Sequence, residues 1–97
     1  MNEEQVIRGI LTRIAPEAAA TAEKIAFSGK ARYMVTITAY VATVYVKAVT
    51  AGAAAPTLTS SDYDYAVPAG STLDWKIGAG CDIYVQSAGN YSAVEWI

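Results

Sequence analysis

The chain has 97 residues, a formal net charge of −2, 54% apolar residues and only 16% charged residues. A chain of this length has room for one modest core and buries about 60–65% of its unfolded surface. Its 7 tyrosines and 2 tryptophans, together with the low charge, predict protein interfaces and hence oligomerisation. Tyrosine also has a high propensity for strands, so exposed strand positions are an equal alternative explanation.

The composition argues against catalysis and against several classes of ligand. The absence of histidine removes the commonest general base and the commonest metal ligand. Cys81 is the only cysteine, lacks a histidine partner and is interpreted as a small apolar residue at a strand start. The sequence has no cluster of lysine and arginine and no run of about 20 apolar residues. We therefore expect no enzymatic activity, no cofactor, no metal, and no nucleic-acid or membrane partner.

Residues 1–30 are predicted to form an N-terminal helical arm. Asn2 is placed to cap a first helix, with Gln5 three residues later. Pro16 kinks this helix and begins a second helical segment that runs to about Ala26. Apolar residues on one face of the first helix form a candidate docking face: Val6, Ile7, Ile10, Leu11 and Ile14. This face would dock on a partner, or the helices would cover one end of their own barrel.

Residues 31–97 show the two-residue period of strands and are predicted to form an antiparallel β-sandwich or barrel. Two strands are expected between residues 33 and 49, with a turn at 40–43 and a loop that continues to about residue 61. Further strands are expected at 63–67, 73–77, 82–86 and 93–97, separated by turns at 68–70 and 78–80 and by a hairpin at 88–90. The predicted fold class is mainly β, a small antiparallel β-sandwich or barrel preceded by an N-terminal helical segment.

Carboxylates and aromatic rings of the second half are the candidates for ligand binding. Asp62 and Asp64 share one side of a strand and could hold calcium, although solvated charges on a strand edge explain them better. The aromatic residues predict a surface aromatic patch made of Tyr63, Tyr65, Tyr84 and Tyr91, with Trp96 nearby in the sequence. Such a patch could bind a sugar, whereas core and subunit packing explain the same residues without a ligand.

The order of strands and turns in residues 33–97 follows a recognisable layout. Segments 33–38 and 42–46 precede a loose loop, and segment 67–73 contains a Pro-Ala-Gly turn that leads into the next strand. An Asp-Ile-Tyr strand at 82–85, a small-residue turn and the segment 93–97 complete the order. This layout resembles that of small structural proteins of tailed-phage particles, of the capsid decoration or head-fibre type.

The resemblance implies a non-enzymatic structural protein of a phage virion that decorates or cements the capsid as a homo-oligomer. Its partners would be further copies of itself, with a trimer favoured by closed symmetry, and the major capsid protein or other virion proteins. The protein would lie in the virion after assembly in the host cytoplasm. The alternative function is a carbohydrate- or receptor-binding module of a head fibre or tail.

Overall fold

The structure, a computed structural model, describes residues 10–97, and in this part of the chain the backbone is mainly β. The strands are β1 (Ile10–Lys24), β2 (Met34–Ala39), β3 (Val44–Thr50), β4 (Tyr65–Val67), β5 (Thr72–Trp75) and β6 (Cys81–Trp96). All of their pairings are antiparallel and belong to one sheet. The prediction of a mainly β, antiparallel fold is therefore confirmed.

Strand β6 is 16 residues long and lies at the centre of the sheet. On one side it pairs with β1, from Ile10↔Trp96 to Lys24↔Tyr84. On the other side its first half pairs with β3 and its second half with β2, so β2 and β3 follow one another along β6. In the same way β5 and β4 follow one another along β2 and β3. The sheet is thus built from long antiparallel segments, and those formed by β2–β3 and by β4–β5 change direction at the same level, where the Gly70 amide donates to the Ala39 carbonyl.

This change of direction curls the sheet into a nearly closed, barrel-like shape. Tyr65 of β4 and Trp75 of β5 lie on strands that do not pair with each other, yet their ring centroids are 5.1 Å apart. The core lies between the two halves of the sheet and is filled by alternate residues of the strands, as the two-residue period requires. Its buried members include Val35, Ile37, Ala39, Val44, Val46, Val67, Ile83, Val85, Tyr91 and Ala93, with Ala19 and Ile25 from the N-terminal side. Each valine or isoleucine contributes about 1.5–3 kcal/mol by burial.

The predicted N-terminal helices are not found in the described residues, because residues 10–24 form β1. Helical propensity is a weak preference, and here it competes with a ladder of hydrogen bonds along β6. The β1–β6 register shifts at several points, including the stretch between Ile14 and Glu17 that contains Pro16. Such an irregularity accommodates a proline that a regular central ladder would exclude. Residues 10–97 contain no helix that could span a bilayer.

The predicted hairpin at 88–90 is also wrong, because β6 continues through these residues. A tight hairpin turn needs a positive φ, and among the described glycines this occurs at Gly29, Gly52 and Gly70 but not at Gly89. Instead, the Ser87 hydroxyl donates a hydrogen bond to the Gly89 carbonyl at 2.7 Å and accepts one from the Gly89 amide at 3.3 Å. These local bonds accompany the change of direction while the strand remains continuous.

The other predicted turns are confirmed. Residues 40–43 separate β2 from β3, as expected. The Ser71 amide donates to the Pro68 carbonyl at 3.0 Å, and Gly70 between them has a φ of 79°, the positive value that a type II turn requires at this position. The Gly70 amide also donates to the Ala39 carbonyl, which fixes this turn against the end of β2.

We predict that Gly89→Ala destabilises the protein, because the added methyl group would overlap the β2–β3 turn. A Cβ atom at Gly89 would lie 2.8 Å from Val41 Cγ2 and 3.1 Å from Ala42 Cβ. Overpacking of this kind costs about 1–3 kcal/mol in the free energy of unfolding, measurable by urea denaturation. Gly80→Ala is the matched control, since a Cβ there meets no atom within 4 Å. Equal effects of the two substitutions would contradict this account of the bend.

Candidate interaction surface

The candidate docking face was predicted on a helix, but its described residues lie on a strand. Ile10, Leu11 and Ile14 belong to β1, whereas Val6 and Ile7 lie outside the described residues. The proposed face depended on the 3.6-residue period of a helix, which a strand does not have. What β1 offers in its place is an extended backbone with one side paired to β6.

The predicted aromatic patch is divided by the fold. Tyr63 and Tyr65 are 42% and 47% exposed, so half of the patch lies on the surface as expected. Tyr91 is 1% exposed, because it shares the inward face of β6 with Ala93. Tyr84 is 8% exposed and is likewise no surface residue. These four tyrosines therefore do not form one surface, and the sequence interpretation is wrong for Tyr84 and Tyr91.

Tyr84 is buried although it lies outside the main core cluster, as does Leu58. Its cross-strand partner on β3 is Lys47, whose ammonium donates to the Thr57 carbonyl at 3.0 Å and to Asp62 Oδ1 at 2.6 Å. These bonds hold the loop after β3 over the outward side of β3 and β6. The loop thereby covers the outward face of β6 at Tyr84. The alternation of inward and outward side chains along the strand would by itself leave this face exposed to solvent.

Two other aromatic residues join the exposed tyrosines. Tyr45 on the outward side of β3 packs against Tyr63, with ring centroids 5.2 Å apart and an angle of 42° between the rings. Tyr65 packs edge-on against Trp75. Ring contacts of this type contribute about 0.5–1.5 kcal/mol beyond burial. The sequence interpretation omitted Tyr45 and Trp75, because only the pairing of distant strands brings them to Tyr63 and Tyr65.

The two aspartates of the calcium hypothesis have different hydrogen-bond partners. Asp62 accepts the hydrogen bond from Lys47, whereas Asp64 Oδ2 accepts one from the Ala48 amide at 2.8 Å. Each carboxylate thus has a protein donor at the β3–β4 side of the sheet. Among the described residues, no group of three or more histidine, cysteine, aspartate or glutamate side chains could hold a metal ion.

Arg32 connects the segment before β2 to the turn before β6. Its guanidinium donates to the carbonyls of Ile77 at 3.2 Å, Gly78 at 3.0 Å and Cys81 at 2.9 Å, and it lies 4.8 Å from the centre of the Phe27 ring. Partial burial lowers the pKa of Arg32, while the nearby Glu95 acts in the opposite direction. The group stays charged at neutral pH, because arginine does not deprotonate in proteins. Arg32 is thus a structural cation rather than a free binding group.

Glu95 is fully buried on the inward side of β6. It lies opposite Val35 in the β2–β6 ladder, and its Oε2 accepts a hydrogen bond from the Ser28 amide at 2.8 Å. A buried carboxylate needs such donors, since leaving water is costly for it. Glu95 therefore fixes the segment 25–33 to β6, at the same end of the barrel where Arg32 holds the turn before β6.

The sheet ends in two different edges within the described residues. Among them, β1 pairs only with β6, β5 only with β2, and β4 only with β3. One edge is therefore the outer side of the 15-residue strand β1, and the other is the outer side of β5 and β4. Unpaired backbone groups on such edges are ready to bind another strand.

Three comparisons with known proteins add no functional assignment. No family model matches the chain, and no curated protein and no solved structure matches it either. The strand edges and the exposed aromatic side chains are therefore the features from which a function can be argued.

We predict that Arg32→Lys lowers the free energy of unfolding by about 1–3 kcal/mol, although it preserves the charge. Lysine lacks the planar fork that reaches several carbonyls at once and cannot stack on Phe27 in the same way. Thermal or urea denaturation measures the loss. Lys30→Ala, at an exposed position two residues away, should have little effect. If Arg32→Lys leaves the free energy of unfolding unchanged, the three carbonyl contacts do not hold this end of the barrel.

Proposed function

We propose that this chain is a non-enzymatic structural protein of a phage virion, which decorates or cements the capsid as a homo-oligomer. The observation that carries the proposal is the outer edge of β1, which pairs with no other described strand, together with the second, unlike edge formed by β5 and β4. Apart from the turn at 88–90, which the continuous β6 replaces, the layout of residues 33–97 resembles that of small tailed-phage structural proteins, and this resemblance supports the virion as the location of the protein.

Hydrogen bonds at both edges identify which backbone groups point outward. The Ile25 amide donates to the Ile83 carbonyl, so at the end of β1 the amide of the preceding residue, Lys24, points away from β6. On β5 the Ser71 carbonyl accepts from the Ala39 amide, and by the same alternation the amide of Asp74 points outward. Lys24 and Asp74 therefore mark the two free edges.

Unlike edges favour a closed ring of copies. When β1 of one copy pairs with β5 and β4 of the next, the contact is head-to-tail, and such contacts close into a ring if the rotation allows. A trimer is the ring that we propose.

Exposed apolar side chains offer a further contact region on the same chain. Val41 in the β2–β3 turn is 80% exposed, and the neighbouring Tyr40 is 43% exposed. Neighbouring apolar side chains that are exposed together are typical of surfaces that a partner covers. This turn is our proposed contact to the capsid or to another virion protein.

Sedimentation combined with residue-resolved amide hydrogen exchange tests the proposal. We expect a trimer in which the amides of Lys24 and Asp74 are both protected, because each is bonded to a neighbouring copy. The Ile25 amide is the internal control, since it should be protected in the monomer and the trimer alike. Protection of Lys24 alone would indicate pairing of two β1 strands and overturn the head-to-tail arrangement.

A second measurement tests the virion role separately. Antibodies against the chain should label purified phage particles in electron micrographs, at regular positions on the head. A chain that sediments as a monomer at every concentration and leaves the particles unlabelled would overturn the proposed function.

A further inference from the structure

The change of direction of β6 leaves a groove on the outward side of the sheet. The groove has a volume of about 340 Å³. It is lined by residues of the β2–β3 turn, β3, the covering loop and β6: Ala42, Thr43, Tyr45, Ser60, Gln86, Ser87 and Ala88. This volume falls within the range of about 300–1,000 Å³ that small-molecule sites occupy. The groove is distinct from the strand edges on which the proposed assembly depends.

The side chains that line the groove are neutral, and most of them are polar. Hydroxyl groups come from Thr43, Tyr45 and Ser60, and Gln86 adds an amide whose nitrogen lies 3.4 Å from the Ala20 carbonyl. This contact leaves the amide oxygen of Gln86 as an acceptor. Tyr45 as a residue is half-buried beside the groove, and among the residues that the structure describes its hydroxyl has no hydrogen-bond partner.

The Tyr45 ring gives the groove an apolar wall in addition to these polar groups. Its contact with Tyr63 restricts the orientation of the ring, so less side-chain entropy would be lost on binding. The face of an aromatic ring carries partial negative charge and attracts the weakly positive C–H groups of a ligand.

We propose that this groove binds a neutral carbohydrate. A pyranose ring presents C–H groups on one face and hydroxyls around its rim, which matches a tyrosine wall beside several neutral hydrogen-bonding groups. Phosphorylated, sulfated or carboxylated ligands are a poor match, because no lysine or arginine is among the described residues that line the groove. A purely apolar ligand would leave the hydroxyls and the amide without partners.

A glycan array with neutral, sulfated and sialylated sugars, followed by calorimetric titration with the best neutral oligosaccharide, tests the proposal. We expect binding of neutral glycans only. Tyr45→Ala and Gln86→Ala should each weaken binding by about tenfold or more, since they remove the ring wall and an orienting hydrogen-bond group. Tyr45→Phe, which keeps the ring, should weaken binding less than Tyr45→Ala.

Tyr65→Ala is the matched control, because Tyr65 is an exposed tyrosine on the adjacent strand β4 and does not line the groove. It should leave affinity unchanged. Chemical-shift changes in the unmodified protein, confined to residues 42–45, 60 and 86–88, would support the site even if a variant fails to fold. The proposal is overturned if neutral glycans do not bind, if only charged glycans bind, or if Tyr65→Ala abolishes binding while Tyr45→Ala does not.

Discussion

Strand β6 supplies the ladder partners of β1, β2 and β3, and the whole sheet depends on its continuity while it changes direction. A break in β6 would separate the β2–β5 half of the sheet from the β3–β4 half, and each half alone would expose its apolar face. Gly89 permits the change of direction, because the β2–β3 turn occupies the place of a Cβ atom there. The inward face formed across this bend contains the core, the buried Glu95 and the inward-facing Tyr91.

The same bend determines which surfaces remain for partners. Because β6 occupies the centre, β1 and the short strands β4 and β5 become the edges of the described sheet. The groove beside Tyr45 lies between residues 86–88 of β6 and the loop that Lys47 holds. Assembly through edges and recognition in the groove therefore use different residues.

Local patterns in the sequence predicted the elements whose signals are local. Alternation identified β2 and β3, and the Pro68 turn was recognisable because proline and glycine restrict or permit particular backbone angles. The alanines of residues 1–30 predict helices because alanine favours helices locally, whereas the pairing of β1 with β6 is a distant interaction. Burial of Tyr84 and the contacts of Arg32 depend on segments far apart in the chain, so no local pattern predicts them. Alternation with Ala93 would have placed Glu95 inside.

Cross-strand contacts between Hα protons, observed by NMR, test the continuity of β6 most directly. In an antiparallel sheet such contacts are shortest between directly opposed residues that do not share hydrogen bonds. We expect them between Ile37 and Ala93 and between Val46 and Val85, which lie on opposite sides of the bend. A hairpin centred on Gly89 would instead bring Val85 opposite Ala93, and a contact between these two residues would contradict the fold described for β6.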